Sequence, residues 1–165
     1  MVNAIQGSTY VLHIASVFDF SIPEAEMIAT AVNGTIFALK ACQAAGVRRI
    51  VITSSCAAIW NMAEADKPAD RMFDESHWAN PNRPEPLLPY FKSKVIAEKA
   101  AWDFHAALPA DQKFELVTIN AAKIMGPPLR KERNLSSEWC KSVMLGTMET
   151  VSSDHVCVVD VRDAA

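Results

Sequence analysis

Glycine is scarce in this sequence, with five in 165 residues: Gly7, Gly34, Gly46, Gly126 and Gly146. No two stand close enough to build a phosphate-cradling turn, in which neighbouring glycines let backbone N–H groups approach a pyrophosphate. Cysteine is sparse and dispersed. Cys42, Cys56, Cys140 and Cys157 form no CxxC pair, and no histidine stands at metal-ligand spacing, so no metal site is expected. Buried free thiols in a reducing compartment are the first reading, and disulfides the second. Strong basic character is also missing. The net charge is −3 and the one short basic cluster, at 130–133, is diluted by Glu132, so neither nucleic acid nor an anionic membrane is expected as a partner. No apolar run approaches the roughly 20 residues that span a bilayer. The opening MVNAIQG has neither the basic start nor the apolar run of a signal peptide. The expected location is the cytoplasm.

What remains is an ordinary globular composition, half apolar and about a fifth charged, with enough chain for one domain and its core. Residues 3–6 read as the end of a short helix stopped by Gly7. Residues 9–15 (TYVLHIA) read as a buried strand. From Glu24 the apolar residues Ile28, Val32, Ile36, Leu39 and Cys42 recur every three or four positions, as on one face of a helix, and Gly46 ends it. Residues 47–53 form a second strand. A long irregular stretch, about 61–89, carries five of the nine prolines; loops of that length in compact domains tend to be functional or mobile. A helix follows to about residue 108. Residues 114–120 form a third strand, Gly126-Pro127-Pro128 a turn, and a helix capped by Ser136 or Ser137 runs to Leu145. Residues 155–160 make a fourth strand. Strands alternating with helices predict an α/β fold, a layered domain with a parallel sheet of about four strands and flanking helices.

Within the helix after the long loop, Tyr90 and Lys94 stand four residues apart and so share a face. An ammonium beside a phenol favours the phenolate, drawing Tyr90 from its reference pKa of about 10 toward acid chemistry near neutral pH. An isolated pair of this kind is more simply an exposed coincidence. In parallel sheets, however, ligands gather beyond the carboxyl ends of the strands. The strands deliver Ala15-Ser16, Thr53-Ser54-Ser55 and Asn120 to that edge, with Gly126-Pro127 just beyond the third strand.

The segments VLHIAS (11–16), VNGT (32–35), VITSS (51–55), YFKSK (90–94), AEKAAW (97–102), Ile119-Asn120 with Gly126-Pro127, and VDVRD (159–163) occur in the order of an extended short-chain dehydrogenase/reductase. The chain resembles the dihydroflavonol-reductase-like group, which includes ketone, aldehyde and methylglyoxal reductases. The resemblance covers nearly the whole chain and implies a single NAD(P)-binding Rossmann-like domain over 1–165. It implies reduction of a small aldehyde or ketone with NADP(H) in preference to NAD(H), or the reverse oxidation. Tyr90 is then the general acid, with Lys94 lowering its pKa and holding the nicotinamide ribose. Ser55 orients the substrate carbonyl, and Asn33 supports a water relay near the lysine. Ala15, Ser16, Thr53, Ser54, Tyr90, Lys94 and Asn120 line the cofactor.

Plainer readings stand beside these. Ser54 and Ser55 equally suit strand-end backbone groups, and Asn33 a bond to a neighbouring loop. His13 reads as a core histidine, and Trp60, Trp78 and Trp102 as packing, with Trp78 a candidate pocket wall. Glu98 and Lys99 read as a solvated helix face. The chain departs from the family at Ala121, where proline is usual, and it carries no GxxGxxG ahead of residue 9. Most of the substrate lobe expected after residue 163 is also missing. A truncated, non-catalytic or dimerising remnant is therefore the alternative function. With the family's preceding strand absent, residues 9–15 become an apolar edge strand through which copies self-associate.

Overall fold

The computed structural model describes residues 2–60, 66–70, 72–84, 86–129, 134–148 and 157–165. The basic cluster at 130–133, parts of the 61–89 loop and the first residues of the expected 155–160 strand lie outside the described residues. The chain divides into two compact units, residues 1–120 and 121–165.

In the first unit, a short helix α1 (Val2–Ile5) ends at Gly7, whose φ of 79° only glycine adopts readily. Strands β1 (Tyr10–His13), β2 (Arg49–Thr53) and β3 (Glu115–Ile119) form a parallel sheet in that order. Its register sets Val11 beside Ile50 and Leu116, and His13 beside Ile52 and Thr118. Helix α2 (Glu24–Ala45) joins β1 to β2, and α4 (Pro89–Ala106) lies between β2 and β3. The single turn α3 (Ala57–Trp60) follows β2 directly. Pro89 opens α4 at a position where its missing N–H costs nothing. Gly46 closes α2 in the left-handed conformation, and the Val47 N–H returns to the Cys42 carbonyl at 3.0 Å.

Helices α2 and α4 pack on each other and on one face of the sheet. Leu39, Cys42, Ile50 and Ala101 are fully enclosed between them, with Leu108, Phe114 and Leu116 at the margin. Burial pushes the Cys42 thiol up to about 11, which keeps it protonated and unreactive. The expectation of buried thiols holds for this residue alone. Cys56 and Cys140 are half-buried, Cys157 is exposed, and none of the four forms a disulfide.

The opposite face of the sheet is open. Tyr10, Leu12 and Ile14 are 57%, 66% and 64% exposed, and Val117 and Ile119 also reach the surface. The first strand therefore corrects the expectation of burial. Its continuous apolar run is typical of a parallel strand covered on both faces, whereas here only Val11 and His13 point toward the helices.

In the second unit, β4 (Lys123–Met125) pairs parallel with β5 (Val158–Asp160), with α5 (Leu135–Leu145) between them and α6 (Val161–Ala164) after them. The cap of α5 is Asn134, whose side chain accepts the Ser137 N–H at 2.8 Å, rather than either serine expected in that role. Gly126 has φ 154°, and a Cβ there would press against the Val161 side chain, which suits glycine at this position.

The parallel α/β class expected from the sequence is present. Its strands divide three and two instead of sharing one four-stranded sheet, because the fourth strand pairs with a segment read as the approach to a turn. No helix among the described residues is long and apolar enough to cross a membrane.

Candidate active site

The carboxyl ends of β1, β2 and β3 open toward the first half of α4. Tyr90, Lys94, Glu98 and Trp102 follow one another at four-residue spacing along that helix, a single stripe down its inner side. The Ser55 hydroxyl is hydrogen-bonded to the Tyr90 phenol and also accepts the Ala57 N–H at 3.2 Å. One hydroxyl thus meets both the phenol and the backbone at the end of the strand. The Lys94 ammonium lies 5.7 Å from the centre of the Tyr90 ring and donates to the Thr53 carbonyl at 3.4 Å. Tyr90, Ser55, Lys94 and Thr53 are thus brought together.

The electrostatics differ from the expectation. Burial raises the Tyr90 pKa; the Ser55 hydrogen bond opposes that rise, and the Cys56 thiol adds to it. Burial likewise lowers the Lys94 pKa, and Glu98 partly restores it. Lys94 is therefore not what governs the phenol here. Desolvation is the largest influence on the phenol and favours its protonated form.

A pocket of about 380 Å³ lies beside this group. Its walls are Ala15, Ser16 and Val17 after β1, Thr30, Ala31, Gly34 and Thr35 of α2, and Thr53, Ser54, Lys94 and Glu98, with His13 at its side. Burial lowers the His13 pKa, and Lys94 lowers it further, so the imidazole is neutral near pH 7. Small side chains around one cation suit ribose hydroxyls, so the sugar end of a nicotinamide cofactor fits this wall. Its diphosphate finds no paired-glycine turn among the 165 residues.

Two expected members are placed elsewhere. Asn33 is exposed on α2 and does not line the pocket, because its neighbours Thr30, Ala31, Gly34 and Thr35 occupy the inward stripe of that helix. Asn120 is turned inward. Its amide donates to the Ser55 carbonyl at 3.2 Å and to Glu98 Oε2 at 2.7 Å, and its oxygen accepts from Thr118. Trp78 does not line this pocket, and its ring lies under Lys99 at 5.4 Å.

Glu98 corrects the sequence reading most. It is not on a solvated face; it is 6% exposed and receives the Ser54 hydroxyl, the Asn120 amide and the Trp102 indole. The signal for it was present, since Glu98 continues the Tyr90–Lys94 spacing by one more turn. Phe18 and Phe20 were missed as well. Both lie in the loop after β1, and Phe18 meets the Tyr90 ring edge-on at 4.6 Å. Only the fold brings them there, and no local spacing marks them.

The chain is 37% identical over 172 residues to the NADPH-dependent methylglyoxal reductase Gre2 of Saccharomyces cerevisiae, covering 94% of this chain and 49% of that protein. It is 39% identical over 132 residues to a dihydroflavonol 4-reductase of Zea mays, covering 76% and 35% respectively. The crystal structure of yeast methylglyoxal/isovaleraldehyde reductase Gre2 complexed with NADPH superposes with a TM-score of 0.74 at 31% identity, over 98% of this chain and 53% of that one. The chain thus spans about half the length of the curated relatives it matches. Residues 1–164 match the 3-beta hydroxysteroid dehydrogenase/isomerase family, and the chain belongs to that family, among the extended short-chain reductases.

Proposed function

We propose that residues 1–165 belong to one NAD(P)-binding domain that reduces a small aldehyde or ketone with NADPH, or runs the reverse oxidation, in the cytoplasm. The observation that carries this reading is the Tyr90 phenol, protonated, hydrogen-bonded to Ser55 and flanked by Lys94. When bound, NADPH supplies a hydride to the carbonyl carbon. Ser55 holds the carbonyl oxygen, and the Tyr90 phenol gives that oxygen its proton. Lys94, Ala15 and Ser16 hold the ribose. Phe18 and Phe20 favour a small apolar substituent on the carbonyl. The NADPH preference and the substrate class are supported by the printed activity of the yeast relative.

Incubating the purified chain with NADPH and a short-chain aldehyde tests this directly. Aldehyde-dependent oxidation of NADPH is expected. A chain that neither binds NADPH at micromolar concentration nor oxidises it would instead support the second reading, a non-catalytic remnant.

The open strand also supports self-association. Among the described residues β1 pairs only with β2, and its Leu12 is exposed beside Val51 and Val117. An apolar edge of this kind pairs readily with another chain. Leu12→Lys is expected to shift sedimentation toward the monomer, and an unchanged distribution would remove this edge as the contact.

A further inference from the structure

We infer that Glu98 is a positioning residue, fastening the ends of β2 and β3 onto α4 so that Ser55 stands against Tyr90 and Lys94 remains beside it. The inference rests on the reductase reading for its meaning, but the contacts stand independently of it. The Ser54 hydroxyl reaches Glu98 from the end of β2. The Asn120 amide reaches it from the end of β3 and spans to the Ser55 carbonyl. Trp102 closes the other carboxylate oxygen at 3.4 Å from one turn further along α4. A carboxylate enclosed to this degree is retained only where donors satisfy it, and here those donors come from three different elements. The arrangement therefore fixes the spacing of two strand ends relative to the helix that carries Tyr90 and Lys94. Ser55 is the residue most directly governed. Its carbonyl is held by the same amide that Glu98 holds, and its hydroxyl meets the phenol.

The charge of Glu98 has a second consequence. Burial works against the Lys94 ammonium, and the carboxylate one turn away works for it. The other titratable groups about Lys94 are His13 from β1 and Tyr90 from its own helix. The α2 residues on the same pocket carry no charge.

A purely structural Glu98 would affect stability and leave neighbouring titrations in place, so the test reads titrations. In isotope-labelled lysine NMR of the 165-residue chain, with Lys94→Arg assigning the signal, Glu98→Gln is expected to move the Lys94 midpoint further down. An unmoved midpoint in a folded Glu98→Gln chain overturns the charge role. If that variant fails to fold, Asn120→Ala provides the second arm. There are only two tyrosines, so a Tyr10→Phe background leaves Tyr90 as the sole phenol in an ultraviolet titration. Asn120→Ala is expected to raise the Tyr90 midpoint by loosening the Ser55 hydrogen bond that favours its phenolate. An unmoved phenol overturns the bridge. Neither readout needs cofactor or turnover. Unmoved midpoints in a chain that oxidises NADPH reject only the Glu98 role, whereas moved midpoints in a chain that does not oxidise NADPH reject only the reductase reading.

Discussion

Tyr90→Phe is expected to lower the rate of carbonyl reduction by about 10²–10⁴-fold, the range that a positioned proton donor contributes. The substitution keeps the ring, so the edge-on contact with Phe18 and the packing on Phe91 persist. Only the hydroxyl that meets Ser55 is lost, and NADPH affinity should change little. Turnover that survives in a folded Tyr90→Phe chain would dismiss Tyr90 as the acid. The pH dependence of the parent follows from the same burial. Tyr90 is raised above its ordinary 10.0, and reduction requires its protonated form. The rate should therefore hold through neutrality and fall only as pH climbs through that raised value. Oxidation requires the phenolate and should rise over the same interval. A kcat profile for reduction that already falls near pH 8 would show that the phenol is not buried as described.

Most of the arrangement around Tyr90 was legible because it is written locally. The four-residue spacing of Tyr90 and Lys94 survives in any helix, and the three β-branched strands announce their own ends at Ala15, Thr53 and Asn120. What was not legible depends on the third dimension. Asn33 and Thr35 are two positions apart on α2, yet one faces solvent and the other the pocket; a rotation of the apolar stripe that the sequence leaves loosely set decides between them. Glu98 looked solvated because a charged residue usually is, and only its donors, two of them from distant strand ends, make burial tolerable. The division of the strands into two sheets turns on Lys123–Met125, too short and too mixed to read as a strand. The direction of the Tyr90 shift was missed for a different reason. A neighbouring charge can be read from spacing, but desolvation cannot.

Leu39→Ala is expected to destabilise the first unit by about 2–5 kcal/mol, a large share of the roughly 5–15 kcal/mol that holds a domain folded. Leu39 has no exposed surface and sits with Cys42, Ile50 and Ala101 where α2, α4 and the sheet meet. Removing its branched end leaves a void there, since close-packed neighbours relax only in part. An ion pair between the two helices adds little to this apolar packing. The Lys92–Glu24 pair joins them at 2.7 Å, but both side chains are partly exposed, and such a pair contributes at most about 1 kcal/mol. The same residue type on the open face provides the control. Leu12 is 66% exposed, and Leu12→Ala should change stability by no more than about 0.5 kcal/mol. Urea unfolding of the two variants separates the cases, with a lowered midpoint for Leu39→Ala and a nearly unchanged one for Leu12→Ala. Equal losses would mean that the open face is covered in solution and that Leu12 is buried against a second chain. Because α2 and α4 also form the walls between His13 and Lys94, the Leu39 void should weaken cofactor binding along with stability.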